Sequence, residues 1–493
     1  MDALTVVLVL LFCLTLIRGL SSLTRRVKKH PPGPVPLPLI GNLHLLGDQP
    51  HKSLAKLAKT HGPIMSLKLG QLNTVVISSS TIAKEVLQKQ DLAFSTRSIP
   101  DSVHAHNHAH QSVVWLPVES RWRSLRRIMN YNIFSANRLD AYQHLRYKKV
   151  QELVDYCRKN CLAGVAVDIG RAGFMTSLNL LSNTIFSKDL TDPFSDSAKE
   201  FKDLIWEIMV EAGKPNLVDY FPLLKKLDPQ GVRHRMTIHF DKVLKLFEGL
   251  IDERLEKRKP GDERRDVLDE LLTTGEESPE EIDRTHIEHM FLDLFGAGTD
   301  TTSSTLEWAM SELLRHPEKM KKAQSELAEA IGKGKAIQEA DVARVPYLHC
   351  IVKETLRLHP PVPFLIPRRV EQEVDLCGYN VPKGSQVLVN AWAICRDEAV
   401  WENALVFKPE RFLESEIDIR GQDFELIPFG AGRRICPGLS LAARMVPAML
   451  GSLLNSFDWK LEGGIEPKEL DMEEKFGITL QKAHPLLAVP LPL

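Results

Sequence analysis

Residues Phe429–Gly438 read FGAGRRICPG, and an apolar run follows from Leu439. The spacing predicts a helix over Leu439–Phe457, so Cys436 stands just before a helix start. Helix N-terminal N–H groups and the helix dipole favour an anionic sulfur there. Gly432 and Gly438 lack a Cβ and let the backbone approach a flat ligand closely. Arg434 places a cation beside the same surface, suited to a carboxylate. A merely structural cysteine would not require Phe429, both glycines and Arg434 around it.

Three more segments carry chemistry. Glu354–Arg357 (ETLR) lies on a predicted helix, Tyr347–Leu358, that stops before Pro360–Pro361. Alone it reads as an i,i+3 surface pair worth a few tenths of a kcal/mol. Pro409–Phe412 (PERF) follows it later. A long helix is predicted from Asp283 to Arg315, ended by His316–Pro317. Its middle, GAGTDTTSS over Gly296–Ser304, is poor in helix propensity and predicts a local bulge. Trp122–Arg126 (WRSLR) reads as a basic helix face, with Arg121, Arg123 and Arg127 beside it.

In this order the segments match FxxGxRxCxG, ExxR, PERF, AGxDTT and WxxxR, and the chain resembles the cytochrome P-450 family. The similarity runs over nearly the whole length, within the plant microsomal enzymes. It implies a mainly α fold with a smaller β portion, preceded by an N-terminal transmembrane helix. It implies haem b, with Cys436 as the axial iron ligand in a loop shaped by Phe429, Gly432 and Gly438. Arg434, Trp122 and Arg126 would reach the haem propionates. Gly298 would leave room for dioxygen, and Asp300 and Thr301 would relay protons. Glu354, Arg357 and Arg411 would form a buried supporting network. Ala297, Phe364, Leu365, Ile366, Phe476 and Ile478, with Leu480, would border the substrate. The implied reaction is hydroxylation of a small apolar terpenoid alcohol at an allylic methyl. Gly296 stands where these relatives more often carry Val, which enlarges the pocket or loosens the helix.

No GxGxxG in a βαβ setting is present, so electrons must come from a partner. The resemblance implies NADPH-cytochrome reductase, and Arg121, Arg123 and Arg127 are candidates for docking it. Relatives that isomerise or dehydrate without oxygen often lack the acid–alcohol pair, which is intact here at Asp300–Thr301.

The 493 residues carry a formal charge of −1, with 43% hydrophobic and 26% charged residues. That is ordinary globular composition with no field to attract nucleic acid. Seven cysteines are scattered without a disulfide pattern, which suits a reducing compartment. Cys157 and Cys161 read as small apolar residues on a helix. Residues 1–24 hold an apolar run long enough to span about 31 Å as a helix. Arg25, Arg26, Lys28 and Lys29 follow it, the reverse of a cleaved signal, and place the following chain in the cytosol. The expected organisation is an anchor over 1–24, a basic and proline-rich hinge over 25–42, and a catalytic domain over 43–493 at the endoplasmic reticulum membrane.

One tract stands apart: His104–His110 reads HAHNHAH. Its rings would share a face on a strand, pair at i,i+4 on a helix, or belong to a polar loop. A His-rich metal-binding membrane protein is the competing reading, and it would need no Cys436. By resemblance the tract roofs the pocket or its entrance. His286 and His289 on the long helix do not form HExxH and read as a polar face.

Overall fold

The computed structural model describes residues 29–191, 196–258 and 266–493. The expected anchor over 1–24 and the start of the hinge lie outside these residues. Among the described residues, no helix is long and apolar enough to cross a membrane. The proline-rich stretch is strapped along the first strand rather than free. Ser66 N–H donates to Pro32 O at 2.8 Å, and buried Asn42 accepts from Lys68 N–H at 2.8 Å.

The body is mainly helical with a smaller β portion, as the sequence predicts. Its axis is the helix Arg284–Arg315. Asp283 caps it, accepting from His286 N–H at 2.9 Å, and His316–Pro317 ends it. The predicted bulge is absent: the helix runs unbroken through Gly296–Ser304. The hydroxyls of Thr299, Thr301, Thr302 and Thr305 each donate to the carbonyl one turn earlier, at 2.6–2.8 Å. Their side-chain polarity is thereby satisfied on the helix itself. The helix Ile169–Phe186, buried along most of its length, packs across it. Gly298 permits that approach, since a Cβ there would lie 2.9 Å from Leu181 Cδ1.

The β portion draws on both halves of the chain. Five strands lie in the spatial order Ile64–Leu69, Leu72–Ile77, Gln386–Val389, Arg368–Arg369, Thr96–Arg97. The first two form an antiparallel hairpin around Gly70–Gln71, with Ile64 opposite Ile77. At the far edge, Arg97 is the direct cross-strand partner of Arg368. Phe476–Leu480 is the turn between Glu474–Lys475 and Gln481–Lys482. His104–His110 is neither strand nor α-helix. It belongs to tight turns over Asp101–His110, with His106 and Asn107 at φ of 48° and 57°.

Candidate active site

The loop before the helix Leu439–Ser456 folds back on itself. Cys436 N–H donates to Phe429 O at 3.0 Å, and Ile435 N–H to Gly432 O at 3.0 Å. Gly432 has φ +70°, and a Cβ there would stand 1.9 Å from Leu87 O. Only glycine fits. Burial pushes the Cys436 thiol up, while the N–H groups of Gly438 and Leu439 and the charge of Arg126 favour the thiolate.

Cys436 opens onto a cavity of about 350 Å³. Its walls are mostly apolar, but Arg97, Arg126, Arg368 and Arg434 all reach it. Among the described residues, none of the four makes an ion pair with a carboxylate. They donate to backbone carbonyls instead: Arg434 Nε to Ser95 O at 3.0 Å, Arg97 to Ile366 O at 2.8 Å, Arg368 to Phe94 O at 2.9 Å and Arg126 to Ile435 O at 2.6 Å. The Nε groups of Arg97 and Arg368 are buried without a partner. Burial, with the neighbouring arginines, pushes Arg434 down to about 9, and burial pushes Arg368 down to about 10. Like charges facing each other across a strand edge cost stability unless an anion joins them. The cluster therefore fits a bound group carrying carboxylates beside a thiolate ligand, which is the donor set a haem requires.

The predicted residues divide. Cys436, Gly438, Phe429, Arg434, Arg126 and Trp122 line the cavity, as do Ala297, Gly298, Thr301, Leu365, Ile366 and Ile478. Phe364 and Phe476 do not, contrary to expectation. Leu365 has φ +53°, and Phe364 on its other side packs in the cluster around Met65 and Leu388. Phe476 stacks on His51 at 5.6 Å and meets Phe364 edge-on at 6.0 Å. Leu480 is buried near the long helix, where its carbonyl accepts from Ser304 Oγ at 2.9 Å. The single N–H of Trp122 donates to Val113 O at 3.0 Å, so it is not the free donor expected, and its ring carries the Arg434 guanidinium at 4.8 Å.

Asp300 does not line the cavity either. It is buried, and Gln481 Nε2 donates to its Oδ1, with the Thr479 hydroxyl also beside the carboxyl. Burial pushes its carboxyl up to about 6. In the unfolded chain that proton leaves near about 4. The stabilisation is thus complete below about 4 and is lost as pH rises through about 6. Asp300→Asn, which cannot ionise, is expected to gain melting temperature relative to the parent between about pH 4.5 and 7.5. Its turnover should fall by about a hundredfold. A melting-temperature gap constant across that range would refute the account.

Glu354 and Arg357 are fully buried and bidentate, at 2.7 and 2.9 Å, and Arg411 Nε lies 3.1 Å from the same carboxylate. Of the flanking basic residues, Arg127 pairs with Glu281 at 2.5 Å and Arg121 donates to Glu280 O at 2.7 Å. Arg123 is exposed.

Sequence reading missed Arg97, Arg368 and Asp293, which also lines the cavity. Arg368 follows Ile366 closely enough to be found by proximity. Nothing in the spacing marks the other two.

A mainly helical body whose glycine-rich loop presents a cysteine to an apolar, arginine-edged cavity defines a haem-thiolate protein, and the chain belongs to the cytochrome P-450 family, whose profile matches residues 31–488. It is 76% identical to geraniol 8-hydroxylase of Catharanthus roseus over 493 residues, all of both chains. It is 73% identical to geraniol 8-hydroxylase of Swertia mussotii over 492 residues, covering 100% of this chain and 99% of that one. The 7-ethoxycoumarin O-deethylase of Helianthus tuberosus is 60% identical over the full length of both. The family implies haem-thiolate iron, a reductase and dioxygen.

Proposed function

We propose that this chain is a membrane-bound haem b monooxygenase that hydroxylates geraniol at C8, its terminal allylic methyl. The observation that carries the reading is the single cavity bounded by Cys436, the four carboxylate-free arginines and the Ala297–Thr302 turn of the long helix. Full-length identity to two enzymes named for that reaction supports the substrate.

When bound, haem b supplies iron that activates dioxygen with electrons from NADPH-cytochrome reductase. Cys436 would hold its iron, with the N–H groups of Gly438 and Leu439 favouring the thiolate. Arg97, Arg126, Arg368 and Arg434, which reach the cavity without carboxylate partners, would hold the propionates. Gly298, without a Cβ, lines the cavity and would leave room there for dioxygen. The Thr301 hydroxyl donates to Ala297 O at 2.7 Å, which leaves its lone pairs free to accept a proton donor in the cavity. Asp300 accepts from Gln481 Nε2 behind the cavity wall, and with its carboxyl pushed up to about 6 it can exchange a proton towards the Thr301 turn. Apolar walls keep bulk water out and leave substrate as the oxidisable partner.

Residues 1–24 anchor the chain in the endoplasmic reticulum membrane, 25–42 form the hinge and 43–493 the cytosolic catalytic domain. A second apolar surface supports this orientation. Leu39, Leu223 and Leu227 are largely exposed. Their segments flank one turn: Gly70 N–H donates to Ile40 O at 3.1 Å and Gln71 N–H to Tyr220 O at 2.8 Å. Arg123, exposed on its helix, contributes to reductase docking.

Microsomes carrying this chain and its reductase should convert geraniol to 8-hydroxygeraniol only with NADPH. Absence of that product, or a preference for another monoterpenoid or a phenolic substrate, would overturn the substrate assignment. Within the pocket, Ile366→Ala should change the ratio of hydroxylated products several-fold, whereas Phe476→Leu should leave it unchanged. Chromatography of the products decides it, and equal effects would contradict the cavity walls described above.

A further inference from the structure

Away from the arginines, the Cys436 loop and the Ser177, Thr301, Thr302 and Thr305 hydroxyls, which donate back onto their own helices, the cavity wall is mostly apolar except towards the first half of the long helix. There Asp293 and His108 reach it together. Their side chains are 7% and 5% exposed, and His108 Nε2 lies 3.3 Å from Asp293 Oδ1. Ser112 Oγ donates to the Asp293 carboxylate at 2.7 Å, and Val113 N–H donates to Oδ2 at 2.9 Å. Ser112 Oγ also lies 2.8 Å from Oδ2 and has one proton to give; with Oδ2 taking it, Oδ1 is met by His108 alone, and of about four lone-pair sites on the carboxylate one stays open on Oδ1. His108 is fixed from behind. Its Nδ1 is 2.8 Å from His289 Nδ1, and its ring meets Phe240 edge-on at 5.0 Å. Burial, with His108 beside it, pushes the His289 imidazolium down to about 4, so His289 is neutral.

Position along the helix gives this pair its meaning. Asp293, Ala297 and Thr301 are spaced i, i+4, i+8 and share one face. Eight residues rise about 12 Å. An extended acyclic monoterpenoid alcohol, hydrogen-bonded at one end, has that reach. Such a chain carries weak allylic C–H bonds at several places, so bond strength alone cannot choose one. A fixed point for the hydroxyl can.

We propose that Asp293 and His108 form the hydroxyl-binding end of the substrate cavity. The alcohol donates its O–H to Asp293 Oδ1 beside His108, and its far methyl comes to lie at Ala297 and Thr301. This rests on the reading of the chain as a hydroxylase of an acyclic terpenoid alcohol. It assigns two residues that position substrate and set where it is oxidised.

The test compares geraniol with geranyl methyl ether, which keeps the skeleton and loses the donor. Binding is titrated on the holoenzyme by the substrate-induced change in haem absorption, which needs no turnover. The parent should bind the alcohol at least about tenfold more tightly than the ether. In Asp293→Asn, Val113 N–H holds the amide oxygen at the Oδ2 position and leaves a donor at the Oδ1 position. The alcohol-to-ether ratio should then fall to within about twofold of unity, and products should spread to other allylic positions. His108→Phe keeps the ring and should also lower the ratio. Ser112→Ala, which loosens the loop but touches no substrate, should keep it. The inference fails if the parent does not discriminate, if Asp293→Asn keeps the ratio, or if Ser112→Ala abolishes it equally. A parent that discriminates in binding yet leaves geraniol unoxidised would sink the proposed reaction and not this site.

Discussion

Cys436→Ala is expected to abolish the thiolate-type Soret band of the reduced, CO-bound protein, and all monooxygenase turnover with it. The loss should be complete, because no other group can take the place of the sulfur. Among the described residues, Cys157, Cys350 and Cys395 are buried, Cys161 is half-buried and Cys377 is exposed, and none of them lines the cavity. The substitution itself is mild for the fold. The loop is closed by backbone bonds, Cys436 N–H to Phe429 O and Ile435 N–H to Gly432 O, which alanine keeps. The variant should therefore remain folded, with melting close to that of the parent, while the signature disappears. Thiolate donation to the iron is what favours O–O cleavage, so a weaker or neutral ligand does not restore the reaction. A retained thiolate band in Cys436→Ala would place the metal elsewhere.

Glu354→Ala should be the most destabilising single change outside the cavity, by about 3–5 kcal/mol. Arg357 gives Glu354 both Nε and one Nη, and Arg411 adds a third contact at 3.1 Å. Removing the carboxylate leaves two guanidinium groups, one fully buried, with no counter-charge. The same Arg357 also donates to Cys395 O at 2.8 Å and Ala404 O at 2.7 Å. It thus ties the ExxR helix to the segment that leads towards the cysteine loop. Loss of order there should lower haem content as well as the unfolding midpoint. Glu354→Asp, which keeps the charge and shortens the reach, should recover part of both. Chemical unfolding of the two variants, compared by midpoint, measures the effect, since proteins of this size often unfold irreversibly on heating. A midpoint for Glu354→Ala within error of the parent would contradict the network.

Both predictions come from motifs readable in the chain. Each is short-range chemistry: a cysteine and its glycines on one loop, or an acid and a base one helical turn apart. Spacing fixes such geometry before folding does, and the motif order carried the fold class with it. The long helix was legible to within a residue, because Asp283 and His316–Pro317 are explicit start and stop signals. Its expected bulge was not found. Propensity counted the threonine and serine hydroxyls as competitors of the helix, whereas the threonines and Ser303 bond back onto it and Ser304 donates to Leu480 O. The pocket list was half legible for a similar reason. Alternation places neighbours on opposite sides only if the backbone is known, and the left-handed turn at Leu365 sends Phe364 away from the cavity.

The sequence alone determined the chemistry: a thiolate loop, an acid–alcohol turn and a buried ion network, each written in contiguous residues. Tertiary structure alone decided what surrounds it. Arg97 faces Arg368 only because two short strands pair at a sheet edge, across 271 positions of chain. His108 meets His289 and Asp293 only because the turns over Asp101–His110 fold against the long helix, which makes one ring of the HAHNHAH tract a cavity wall and leaves His106 exposed on Thr237 O. Local spacing cannot carry such contacts. They depend on which distant surfaces bury each other, and burial is settled by the whole core at once.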